Sequence, residues 1–248
     1  MEIIAEVGLN YEGNPALAYE LIAQASRAGA DVVKFQFGWR DGPGEINAID
    51  AHLASRLRRW CDQWEVEFMA SIISAEGLEL AAAADPRRYK IASRTVVERP
   101  ELVEEVLGLG KETLISLGWW EEEGFPFGEP DEQMRYLYCS SNYPSYPEDL
   151  VGMPQRFGPD GYYGYSDHVH GIEGCLLAAS RGARVIETHV TLDKTIESVH
   201  GDHVMSVNPE ELMTLARHGR PLSRMAQIVE REQWKQGEIK DDWRPRIH

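Results

Sequence analysis

The sequence predicts an α/β protein folded as a single-domain (β/α)8 TIM barrel, and three observations carry that expectation. Short apolar runs of strand length recur eight times along the chain. Most are separated by stretches whose apolar residues fall at helical spacing, and such alternation makes a parallel sheet. The length, 248 residues, is one at which eight such units close into a barrel.

Ile3-Ile4-Ala5-Glu6-Val7-Gly8 reads as the first strand. Asn14-Pro15 then supplies an N-cap and a first-turn proline, followed by Leu17, Leu21, Ile22, Ala25 and Ala28 at helical spacing and by Gly29 as terminator. Asp31-Val32-Val33-Lys34-Phe35-Gln36-Phe37 is the second strand, and a helix is expected over 45–63 with Leu53, Leu57 and Trp60 on one face. Further strands are expected at 67–73, 88–93, 112–118, 134–140, 162–168 and 183–190. Helices are expected at 75–84, 98–108 and 171–182, with a last one from Pro209 towards Glu230. The connections 119–133 and 142–161 are rich in Gly, Pro and aromatic residues and read as irregular. One barrel domain over 1–230 and a polar tail over 231–248 complete the expected organisation.

Composition narrows the partners. Lys+Arg 25 against Asp+Glu 41 gives a net charge of −16, which argues against nucleic acid and anionic membrane, since phosphate contacts need clustered Lys and Arg. A small anionic substrate stays open, because it senses local charge. No signal-peptide or membrane-span pattern is present, so a cytoplasmic location is expected. The three cysteines, Cys61, Cys139 and Cys175, are too few and scattered for a disulfide framework or a zinc cluster.

In a barrel of this kind the active site lies at the C-terminal ends of the strands, and the unusual polar residues of this sequence gather there. Side chains two apart on a strand share a face. Glu6, Gly8 and Asn10 then share one face, as do Lys34 and Gln36, Ser166 and His168, and Glu187 and His189. Ser71 falls late in the third strand, Lys90 and Ser93 end the fourth, Ser116 ends the fifth, and the sixth leads into Cys139-Ser140-Ser141-Asn142-Tyr143-Pro144. Each has a plainer explanation: a salt-bridged lysine, a hydrogen-bonded core histidine, a turn serine. Polar ends on so many separate strands point instead to a site that handles an anion and a metal. His168 and His189, closing two successive strands, place two imidazoles around one ion.

These segments together resemble the N-acetylneuraminate (sialic acid) synthase family. The resemblance rests on Ile4-Ala5-Glu6-Val7-Gly8-Leu9-Asn10, Ala28-Gly29-Ala30-Asp31-Val32-Val33-Lys34-Phe35-Gln36 and Tyr89-Lys90-Ile91-Ala92-Ser93. It continues through Cys139 to Pro144, Gly164-Tyr165-Ser166-Asp167-His168, Ile186-Glu187-Thr188-His189 and Gly201-Asp202-His203. It implies condensation of phosphoenolpyruvate with an N-acylated amino sugar to a nine-carbon 2-keto acid, with release of phosphate. It implies a divalent metal on His168 and His189, most simply Mn2+, with Mg2+ or Co2+ as alternatives. By the same resemblance Lys34, Ser71, Lys90, Ser93, Ser116 and Ser166 hold the donor's anionic groups, as charge-assisted and hydroxyl donors suit. Gln36, Tyr143 and Asp202 face the sugar, and Glu6 orients a water. Either Ser141 or Asn142 supplies a further substrate contact. A homodimer is also implied, and Trp119 and Trp120 mark one face as an interface.

The sequence departs from the family's usual pattern in places. Tyr11 stands where His is common, Ser71 where Thr is expected, Leu117 where Thr commonly follows the strand-five serine, and Arg94-Thr95 where Gly and then often an acidic residue are usual. The family's antifreeze-like C-terminal domain is not expected here, so the acceptor sugar is the open question. Two other functions fit the same residues: a metal-dependent sugar aldolase or isomerase, and a non-catalytic sugar- or phosphate-binding barrel.

Overall fold

The computed structural model describes residues 1–38, 45–198 and 202–235. Eight parallel strands form a closed barrel in sequence order: β1 (Glu2–Gly8), β2 (Val32–Phe37), β3 (Glu67–Ile72), β4 (Tyr89–Ile91), β5 (Thr113–Ser116), β6 (Met134–Cys139), β7 (Tyr162–Asp167) and β8 (Val185–His189). β8 pairs back onto β1, with Glu6 opposite His189. The helices are α1 (Pro15–Arg27), α2 (Ala51–Gln63), α3 (Ala75–Ala82), α4 (Ser93–Glu98), α5 (Pro100–Gly108), α6 (Glu173–Ser180) and α7 (Pro209–Lys235). No helix among the described residues is long and apolar enough to cross a membrane.

Local chemistry starts the helices where it should. Asn14 Oδ1 accepts the Ala16 N–H ahead of Pro15, Asp50 accepts the Leu53 N–H, and Ser74 accepts the Gly77 N–H. The Asp50 cap explains why α2 begins at Ala51 rather than near 45. The helix expected over 98–108 is two helices that meet at Arg99, because Pro100 cannot donate to the preceding turn and instead opens α5. Ser93 opens α4 rather than ending a strand, since β4 stops at Ile91. α7 runs on to Lys235, past the expected boundary near 230, and Pro221 lies inside it. The rest of the expected tail, 236–248, and Gly201 lie outside the described residues.

The barrel interior is layered, as alternation along parallel strands demands. At the N-terminal end, Arg88 pairs with Glu2, Glu67 and Glu112, and Arg135 pairs with Glu112. Above them Ile4, Val32, Met69, Leu114, Leu137 and Val185 fill the middle as one apolar layer. The opposite strand faces, with Phe35, Phe68, Ile91, Ile115 and Ile186, pack under the helices. The next inward positions, one alternation higher, form the floor of the site. The apolar layer separates that floor from the ionic plug below.

Candidate active site

The C-terminal mouth holds a cavity of about 280 Å³. Its floor comes from inward residues of successive strands: Glu6, Lys34, Ser71, Lys90, Ser116, Cys139, Ser166 and Glu187. Gln36, Ser93, Tyr143, His168, His189 and Asp202 line it above, so twelve of the fourteen expected site residues line the cavity, and Ser141 and Asn142 do not.

 Ser141 Oγ lies 2.9 Å from Ser93 Oγ, which settles which of the two neighbours comes near the cavity. Asn142 does not join: it is exposed, and its amide donates to Asp149 Oδ1 at 2.8 Å. Asn10 also leaves the face of Glu6, because the strand register shifts between Glu6 and Gly8.

The floor is held by a shared-carboxylate network. Lys34 Nζ lies 2.8 Å from Glu6 Oε2 and 3.7 Å from Glu187 Oε2. Lys90 Nζ lies 3.7 Å from Glu187 Oε1 and donates to Ser116 Oγ at 2.8 Å and to the Ile91 carbonyl at 3.0 Å. Gln36 donates to Glu6 Oε1 at 2.7 Å, and Ser166 donates to Glu187 Oε1 at 2.8 Å. Burial disfavours charge on Glu187, Lys34 and Lys90, so the neighbours decide. Burial works to raise the Glu187 carboxyl, but Lys34 and Lys90 outweigh it and hold Glu187 below the usual carboxylate range. Burial likewise opposes charge on Lys34, yet Glu187 and Glu6 raise it above the ordinary lysine value. Lys90 goes the other way: burial lowers it, and the nearby Glu187, partly opposed by Lys34, does not make up the difference.

The two imidazoles sit above this network with ring centroids 5.4 Å apart. Burial, and then His189 beside it, pushes His168 down to about 3, so the ring is neutral. Its Nδ1 lies 2.8 Å from the Ser140 carbonyl, which can only accept, so Nδ1 carries the proton and Nε2 keeps a free lone pair. His189 Nδ1 is buried without a hydrogen bond, 3.5 Å from Asp202 Oδ2. The Tyr143 ring packs over His168 at 4.1 Å between centroids. Two imidazoles on adjacent strand ends, one of them neutral and tied at its far nitrogen, suit a first-row divalent metal. Among the described residues no cluster of three or more His, Cys, Asp or Glu side chains is arranged as metal ligands. A metal here would therefore be held by His168 and His189, with its other positions left to water or substrate.

Several lining residues escaped the sequence reading. Glu187 was placed on the inward face beside His189 but given no role, although it bridges both lysines. Cys139 Sγ lies 3.7 Å from His168 Nδ1, and burial pushes its thiol up to about 12, so it is not a thiolate. Arg94 and Trp119 line the rim, with the guanidinium carbon 5.7 Å from the indole centroid. Arg94 lies in the first turn of α4 and Trp119 in the connection after β5, and neither position is marked by strand alternation. Trp119 is exposed, while Trp120 is half-buried and its ring N–H donates to the Gly124 carbonyl.

Three comparisons bear on what the site is. The model of the NeuB family matches residues 46–230. The chain belongs to the NeuB family. Among relatives, the spore coat polysaccharide biosynthesis protein SpsE of Bacillus subtilis is 29% identical over 242 residues, covering 85% of this chain and 64% of SpsE. The chain thus spans less than two thirds of that relative's length. Human N-acetylneuraminate-9-phosphate synthase is 28% identical over 254 residues, covering 90% of this chain and 70% of the human protein. The N-acetylneuraminic acid (sialic acid) synthetase of Leptospira borgpetersenii superposes with a TM-score of 0.77 at 24% identity, covering 97% of this NeuB-family chain and 92% of the other. At that identity the superposition speaks for the barrel fold alone.

Proposed function

We propose that this NeuB-family barrel condenses phosphoenolpyruvate with an N-acylated amino sugar, giving a nonulosonic 2-keto acid and phosphate. The observation that carries this reading is the charge balance of the cavity. Its three cations, Lys34, Lys90 and Arg94, are matched by three carboxylates, Glu6, Glu187 and Asp202. A trianionic donor needs more positive charge than that, and the two imidazoles are where a divalent cation would bring it. When bound, such a metal, most simply Mn2+ with Mg2+ or Co2+ as alternatives, supplies Lewis-acid polarisation of the acceptor's aldehyde.

The chain's own residues do the rest. Lys34, Lys90 and the hydroxyls of Ser71, Ser93, Ser116 and Ser166 hold the donor's phosphate and carboxylate, with Ser141 backing Ser93. Gln36, Tyr143 and Asp202 hold the acceptor above it. The donor's C3 forms the new bond to the aldehyde carbon, whose oxygen takes up a proton and becomes a hydroxyl. Water adds at the donor's C2, losing its proton towards Glu6, the carboxylate that Lys34 and Gln36 keep in place. The C2–O bond to phosphate then breaks as the C2 hydroxyl gives its proton to the departing phosphate, leaving the 2-keto acid.

The test is a phosphate-release assay with a panel of N-acylated hexosamines and products read by mass spectrometry. Release is expected only when donor, acceptor and divalent metal are all present, and the His168→Ala, His189→Ala double variant should lose Mn2+ binding by calorimetry as well as turnover. Normal metal binding by that variant would overturn the ligand assignment. Sugar turnover without loss of phosphoenolpyruvate would favour an aldolase or isomerase instead.

A further inference from the structure

Asp202 stands in the connection between β8 and α7, outside any regular element. Two buried side chains hold it. Asn10, 1% exposed in the turn after β1, accepts the Asp202 backbone N–H on Oδ1 at 2.6 Å. The same amide donates to Ser206 Oγ at 2.9 Å and to the Val190 carbonyl at 2.8 Å. Ser206, fully buried, donates its hydroxyl to the Asp202 carbonyl at 2.7 Å. Asn10, Asp202 and Ser206 therefore close a ring of hydrogen bonds that engages both backbone groups of Asp202. Val190 directly follows His189, so one amide ties Asp202 to the strand end that carries an imidazole. Next to the ring, His203 bridges Glu12 and Thr191 at 3.0 and 2.7 Å.

We infer that Asn10 and Ser206 are positioning residues that hold the Asp202 carboxylate at the cavity rim and so set the binding of the acceptor rather than of the donor. This rests on the proposed function. The assignment to the acceptor follows from charge and depth. Asp202 is anionic and its side chain is 32% exposed, whereas Lys34 and Lys90, which attract an anion, are 4% and 2% exposed on the floor. A carboxylate repels phosphoenolpyruvate but accepts hydrogen bonds from a polyhydroxy sugar. A fully satisfied amide is also what fixes a carboxylate to within the tolerance that substrate positioning needs.

Two variants open the ring in different ways. Ser206→Ala removes one hydroxyl, and Asn10→Asp keeps the acceptor for the Asp202 N–H while losing both donated bonds. In either, KM for the acceptor should rise about tenfold, as loss of roughly one net hydrogen bond implies, with KM for phosphoenolpyruvate and Kd for Mn2+ each within about twofold. The double variant should be little worse than the worse single one, because a ring needs breaking only once. Amide exchange at Asp202 and Ser206 should quicken in both. A mere structural staple predicts a lower Tm with both KM values unmoved, and that result would overturn the proposal. So would a rise in the donor's KM, or weakened Mn2+ binding as the main effect. If the wild-type protein releases phosphate with no acceptor, the functional reading fails by itself. The ring is then judged by calorimetry with N-acylated hexosamines: weaker sugar binding in the variants upholds it, and unchanged binding overturns it.

Discussion

Lys34 shows how a single residue's role depends on partners far away in sequence. Its inward face, shared with Gln36, is legible from strand alternation, and so is its place near the mouth. That Glu6 and Glu187 would flank it is not legible, because barrel closure brings β8 beside β1 only in three dimensions. Lys34→Met would leave Glu6 without its ion-pair partner and Glu187 with Lys90 alone, a change that costs about 3–5 kcal/mol when one partner of a buried pair is removed. Lys34 has a raised pKa in the fold, so the folded state binds its proton more tightly than the unfolded state does. Its stabilisation is thus complete below the ordinary lysine pKa of about 10.4 and is lost as pH rises through the higher folded value. Urea unfolding should show a constant gap between wild type and variant from pH 7 to about pH 10, narrowing only above it. A gap that narrows between about pH 6 and about pH 9 would refute the assignment of this proton.

At the scale of elements, all eight strands could be read from apolar runs, because parallel strands buried on both faces leave that signature. The ends were harder. Ser93 belongs to the start of α4, and the break at Arg99 depends on Pro100 taking an N-terminal helix position rather than an interior one. The approach of the loops after β5 and β6 was not legible, since it is set by space and not by pattern. Gly118 is the telling position: a Cβ there would stand 2.1 Å from Ser141 Oγ and 2.9 Å from the Cys139 carbonyl. Gly118→Ala should push Ser141 away from Ser93 and raise KM for phosphoenolpyruvate about three- to tenfold, the loss of one hydroxyl contact. The acceptor's KM should hold. Steady-state kinetics with each substrate varied in turn checks this, and an unchanged donor KM would remove the Ser93–Ser141 pair from the donor site.

Over the whole molecule, charge sets long-range and local forces against each other. The chain carries −16, while the cations and carboxylates lining the cavity cancel. Composition showed the first fact. The second needed the structure, because the two floor lysines look like surplus positive charge until Glu6 and Glu187 are seen beside them. A trianion approaching such a protein meets net repulsion until it reaches the divalent cation proposed at His168 and His189, so electrostatic steering should have the unusual sign. Screening then helps association: the Debye length falls from about 30 Å at 0.01 M salt to about 8 Å at 0.15 M, which hides the distant acidic surface but not charges in contact within the cavity. In the metal-loaded enzyme, kcat/KM for phosphoenolpyruvate should therefore rise about two- to fivefold over that salt range, while KM for an uncharged acceptor sugar stays flat. Steady-state rates in sodium chloride at fixed saturating metal measure both. A monotonic fall in kcat/KM with salt would mean that the donor is drawn in by a positive field at the mouth, and the charge balance drawn from the lining residues would then be wrong.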